Sequence, residues 1–200
     1  MKIKIFFLTA VISISLACST ITTAPPPQVK LDTLQLIGFD YSKQIPAHPE
    51  GDITAATHLF VHKYPIPNDG VVMGVTYLND SDTETENITI LILRPIGGGW
   101  KVIHRAELLG DDLPPVITGT TTFSFETSLT VKKGDMFAHW QPDETGPIPL
   151  NLESSPFDGL SFNKAGFSAD DIREGEIISS ENFSGGRDYF INLIFEEPYD

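Results

Sequence analysis

Four carboxylates alternate through one short polar stretch: Asp80, Asp82, Glu84 and Glu86. Hard oxygen ligands of this kind suit calcium. The spacing is not that of an EF-hand, because Thr85 stands at the sixth position, where the sharp turn of that loop demands glycine. The stretch reads first as a solvated hairpin loop and second as a calcium loop. Histidine offers less. His58 and His62 share a face of an expected strand, but at about 3.3 Å per residue they lie about 13 Å apart, too far for one metal ion without a bend. Aromatic residues are more suggestive. Trp100 precedes His104, and Trp140 is flanked by His139 and Gln141. An exposed indole offers a flat apolar face to sugar C–H groups, while imidazole and amide groups bond hydroxyls. These five residues form the candidate ligand-binding set, weighed against the commoner fate of a tryptophan in a β protein, which is the core.

Nothing in the chain names a catalytic residue. There is no Gly-x-Ser-x-Gly elbow, no glycine-rich phosphate loop and no carboxylate cluster from which an acid and a base can be assigned. Two fragments bear on a carbohydrate-active alternative. Arg105-Ala106-Glu107-Leu108-Leu109 resembles part of the Arg-x-Glu-Leu-Arg motif of jelly-roll alginate lyases, and Phe162-Asn163-Lys164-Ala165-Gly166-Phe167 is similar to their Tyr-Phe-Lys-x-Gly-x-Tyr motif. Leu109 replaces the final arginine, and the Gln-x-His element of that family is missing. The resemblance implies a polysaccharide lyase or glycosidase as the alternative to a non-catalytic protein.

The elements that must position these residues are strands. Residues 118–140 carry the clearest pattern: Phe123 and Phe125 alternate with Ser124 and Glu126, Leu129 and Val131 continue the series, and Lys133-Gly134-Asp135 turns the chain into a second strand at 136–140. Further strands are predicted at 34–39, 54–64, 71–78, 88–93, 100–104 and 189–195. Shorter ones are expected at 148–152, 159–162 and 176–179. Residues 88–93 are almost unbroken apolar sequence, the mark of a central strand covered on both faces. Residues 71–104 read as a meander, 107–115 as a loop, 168–174 as one helical turn, and Gly185-Gly186 as a turn into the last strand. No sustained 3.6-residue apolar period follows the N-terminal segment. The expected fold is all-β, an antiparallel β-sandwich or jelly roll.

The N-terminus carries an address. Lys2 and Lys4 precede an apolar run at 5–16, too short to span a bilayer as a helix, and small residues precede Cys18. Residues 1–17 read as a cleaved signal peptide. Cys18 is the single cysteine of the chain, so no intrachain disulfide can form. The segment resembles a bacterial lipoprotein signal, which implies lipidation of Cys18; simple secretion is the alternative. Residues 18–28 form a Ser/Thr/Pro-rich tether, extended at Pro25, Pro26 and Pro27. Residues 29–200 are expected to fold as one domain.

The formal net charge is −14, and loss of Lys2 and Lys4 with the leader takes it two units further negative. Such a surface repels phosphate backbones, so nucleic acid is not an expected partner. The chain resembles small exported bacterial β-sandwich proteins, often anchored as lipoproteins. That resemblance implies a periplasmic or cell-surface location and attachment to the membrane through Cys18. The leading reading is a non-catalytic module that binds a glycan or another protein at the envelope. A jelly-roll carbohydrate-active enzyme and a structural envelope component are the alternatives.

Overall fold

The computed structural model describes residues 34–39, 58–79, 87–108, 119–141, 148–149, 159–163, 172–180 and 183–198. The chain divides into Met1–Lys30 and Leu31–Asp200, and every described element belongs to the second unit. Asp80, Asp82, Glu84 and Glu86 lie outside the described residues, as does Cys18.

The described elements are strands only: β1 (Leu34–Gly38), β2 (His58–His62), β3 (Gly70–Asn79), β4 (Ile88–Ile96), β5 (Gly99–Leu108), β6 (Gly119–Val131), β7 (Met136–Trp140), β8 (Gly159–Asn163), β9 (Ile177–Ser179), β10 (Phe183–Arg187) and β11 (Ile191–Glu196). They build two sheets, one ordered β1-β11-β3-β6 and the other β10-β8-β2-β7-β4-β5-β9, and one of the two curls as a half-barrel. All pairings are antiparallel.

Alternation decides which side chains meet. Ile88, Ile90 and Ile92 of β4 join Val72 and Val75 of β3 and Ile191, Leu193 and Phe195 of β11 in one buried cluster drawn from both sheets. Phe123 and Phe125 are half-buried and pack against it. The intervening residues of β4, Leu91 and Leu93, enter a second cluster with Leu59, Val61, Trp100, Val102 and Trp140. β4 is thus apolar on both faces, which is why its sequence does not alternate. Each such aliphatic side chain contributes about 1.5–3 kcal/mol on burial.

The passage from β6 to β7 moves the chain from one sheet to the other. Gly134 takes the left-handed φ of 86° that the turn requires, and its N–H donates to the Ile66 carbonyl at 2.8 Å. Asp135, 1 % exposed, accepts two hydrogen bonds from the Arg94 guanidinium at 2.8 Å each and one from the Lys132 N–H at 2.8 Å. The carboxylate fixes the turn, and Arg94 ties it to β4. This partnership holds the Arg94 guanidinium above its ordinary pKa, chiefly through the Asp135 hydrogen bonds.

Several expectations change on inspection of the pairing. The meander over residues 71–104 is only half present: β4 and β5 form a hairpin, but β3 pairs with β11 and β6 in the other sheet. Both β3 and β4 are apolar enough to be central, and the sequence does not say in which sheet. β5 continues to Leu108, two residues into the segment expected to be a loop, and Leu108 is fully buried. Gly185-Gly186 is no turn: it lies inside β10, whose register against β8 shifts between Gly185 and Arg187. A glycine pair on an edge strand makes a bulge as readily as a bend. Ile148 and Pro149 are not strand; Gln141 holds this stretch by accepting from the Ile148 N–H at 2.8 Å and donating to its carbonyl at 3.1 Å. Residues 172–174 are not helical, and 168–171 fall outside the described set.

Candidate functional site

The five residues of the candidate sugar platform do not come together. Trp100 and Trp140 enter the same buried cluster but at opposite ends of β4, across from Pro95 and Thr89 respectively, and each is 7 % exposed, so the ring faces a sugar would stack on are covered. His139 follows the opposite face of β7, because consecutive strand residues point apart, and is 0 % exposed. Gln141 is committed to the Ile148 backbone. His104 sits at the rim, where its Nε2 donates to the Thr130 carbonyl of β6 at 2.7 Å and its Nδ1 lies 3.8 Å from Glu174. The contact with Thr130 joins the edge strand of one sheet to the other sheet.

His139 is instead part of a buried polar row that joins β2 and β7 to Tyr64, just after β2, and to Asp188 and Tyr189, just before β11. The Tyr64 hydroxyl donates to Asp188 Oδ2 at 2.6 Å, and the Tyr189 N–H donates to Asp188 Oδ1 at 2.9 Å. Asp188 Oδ1 lies 3.8 Å from His62 Nδ1, and His62 Nε2 is 2.8 Å from His139 Nδ1. A carboxylate on its Nδ1 side assigns the His62 proton to that nitrogen, so His139 Nδ1 donates to His62 Nε2. His139 Nε2 is then a bare acceptor, buried without a partner. Aromatic rings close the row: Phe137 stacks on His62 at 4.2 Å between centroids, Phe60 on His139 at 5.3 Å, and Tyr189 stands edge-on to His139 at 4.6 Å. Burial first, and then His62, hold the His139 imidazole well below its ordinary value of 6.5. The row resembles an acid–imidazole relay in connectivity, but its inner members are enclosed: His62 is 2 % exposed and Asp188 3 %. It can bind strands together through a desolvated network; it offers no reacting group to solvent.

An accessible cleft lies at the other edge. Ala106 and Glu107 of β5 and Phe123, Phe125, Glu126 and Leu129 of β6 line a cleft of about 560 Å³. Its shape comes from a mismatch between strands. Val72 pairs with Leu129 and Gly74 with Ser124, so Met73 alone on β3 faces Phe125, Glu126, Thr127 and Ser128 on β6. The surplus bulges and leaves Phe125 half-buried at the cleft wall, edge-to-face with Phe123 at 6.3 Å. Gly74 makes the close approach possible, since a Cβ there would collide with the Phe123 carbonyl oxygen. The far end is pinned by the His104–Thr130 hydrogen bond. Glu107 is paired with Arg105 at the rim, and the Arg105 N–H donates to Glu174 at 3.0 Å. Among the described residues, no group of three or more His, Cys, Asp or Glu side chains is placed to hold a metal ion.

Sequence patterning places Phe123 and Phe125 on one face but does not bring Glu107 beside them. The signal that could have located the cleft is the combination of Thr/Ser alternation with two phenylalanines on a strand too long for its partner. Comparison with protein families, with curated proteins and with solved structures finds no match.

Proposed function

We propose that this protein is an exported, lipid-anchored, non-catalytic module of jelly-roll-like sandwich architecture that captures a protein ligand at the cell envelope, and that it does so at the β5–β6 cleft. The leader, Cys18 and the Pro-rich tether support the location; the cleft with its half-buried Phe123, Phe125 and Leu129 is the observation that carries the binding. Half-buried aromatic side chains at an otherwise polar rim are the surface a ligand can desolvate with gain. A protein is favoured over a glycan because the two indoles that would serve a sugar are covered, whereas the cleft offers apolar walls beside a strand edge.

The test is a photo-crosslinking residue placed at Thr127 in living cells, with one at exposed Lys133 as control. A discrete protein adduct at Thr127, absent at Lys133 and lost with Phe125→Ser, supports the reading. Equal adducts at both positions, or none at either, contradict it. The enzymatic alternative draws on one specific observation, that Glu107 and Glu126 stand on the two walls. Both are exposed and Glu107 is engaged by Arg105, so neither has the desolvated setting of a general acid. Release of sugar products that stops with Glu107→Gln or Glu126→Gln would establish that alternative instead.

A further inference from the structure

β6 ends its sheet. Its inner neighbour is β3, and among the described residues the only hydrogen bond on its outer side is the one His104 makes to the Thr130 carbonyl. From Gly119 to Ser124 the ladder with β3 is regular, residue against residue from Asn79↔Gly119 to Gly74↔Ser124. Six residues of straight strand, about 20 Å at ~3.3 Å each, therefore present alternate N–H and C=O groups outward. The bulge at residues 125–128 then stops the run. A natural edge of this length is normally blunted along its whole course; here the blunting is confined to one end, and the cleft opens beside it.

We infer that β6 is a docking strand, and that the ligand is an extended, cationic polypeptide segment that adds to its Gly119–Ser124 edge; the inference rests on the cleft reading above. A strand laid beside β6 extends the four-stranded sheet over β5. Its inward side chains then enter the cleft against Phe123, Phe125 and Ala106, and alternate side chains face the rim. Main-chain hydrogen bonds supply the attachment and the alternating side chains supply selectivity. The charge of the occupant follows from Glu126 on the β6 wall, Glu107 being already paired with Arg105, and from the net charge of −14. That field attracts Lys and Arg and speeds encounter at low salt. It opposes a second copy of this chain, which carries the same net charge of −14.

The experiment measures binding of a ten-residue peptide of alternating Lys and Val to the full chain in detergent. Two control peptides carry Glu in place of Lys, or N-methyl groups on the six central backbone amides. The unmodified peptide is expected to bind, and each control to bind at least about tenfold more weakly, since several backbone bonds at ~1 kcal/mol each convert to more than a decade. Glu126→Lys, an exposed substitution that leaves the core intact, is expected to weaken the Lys/Val peptide by a similar factor. No binding of the unmodified peptide overturns the inference, as does equal binding of the N-methylated one. If equal N-methylated binding is lost in Phe125→Ser, the cleft reading survives without strand addition. If binding is indifferent to both Phe125 and Glu126, the cleft reading falls too. Self-association of the free chain that is abolished by Glu126→Lys or Phe125→Ser would make a second copy the occupant and likewise overturn the inference.

Discussion

Two residues carry most of the testable electrostatics. His139 is buried, and its folded-state pKa lies below the ordinary 6.5 of an exposed histidine. Between those two values the unfolded chain binds a proton that the folded chain does not, so stability falls as pH drops below about 6.5 and is flat in this group above it. One such proton contributes a slope of up to about 1.4 kcal/mol per pH unit. Chemical denaturation from pH 7.5 to 5 should show this slope in the wild type and lose it in His139→Leu; a slope unchanged by the substitution would contradict the assignment. Arg94 is the second case. Asp135 is buried while the Arg94 side chain is 36 % exposed, so removing the arginine strands a desolvated carboxylate. Arg94→Ala should cost about 3 kcal/mol, at the low end for a buried pair because the cation keeps contact with water. A urea midpoint within error of the wild type would refute it. Both arrangements escaped the sequence for one reason. His62 and His139 stand 77 positions apart, and Arg94 and Asp135 stand 41 apart, so only the pairing of β2 with β7 and β4 with β7 brings them together.

At the scale of elements, the apolar strands were legible, β10 and residues 148–149 were not, and strand partnership was not legible at all. The run Ile88-Thr89-Ile90-Leu91-Ile92-Leu93 declared a strand buried on both faces, and Tyr189, Ile191, Leu193 and Phe195 declared a shared inward face; both arrangements are found. Period-2 patterning reports which face is apolar, but it is silent on which neighbour lies alongside. Hence β3 was placed with β4 rather than with β11 and β6. The same silence hid the cleft, because a bulge is a difference between two strand lengths, 13 residues in β6 against 10 in β3. Gly74 is the hinge of that difference. Gly74→Ala should destabilise the protein by about 1–3 kcal/mol, the ordinary cost of overpacking. It should also disturb the Phe123 and Phe125 ring signals in an NMR spectrum more than those of Phe195. An unperturbed spectrum with wild-type melting would show that β3 and β6 are not held as closely as described.

For the whole molecule, the sequence is acidic, and the described residues form two sheets with a cleft beside the β6 edge. The proposal joins them: a tether holds the body at the envelope, and the edge receives an extended segment. The anchor has its own test. Cys18→Ser should move the mature protein from the membrane to the soluble fraction, with slower removal of the leader; unchanged fractionation would reject lipidation while leaving the cleft untouched. The central claim is that the Gly119–Ser124 edge is open in the free protein and paired in the complex. Amide hydrogen exchange, read residue by residue with and without the Lys/Val peptide, measures this directly. The outward-facing amides of β6 should exchange fast in the free chain, faster than those of β3 between its two partners, and slow by at least about tenfold when the peptide is bound. Protection already present in the free chain, or slowing that appears elsewhere and spares β6, would contradict the account.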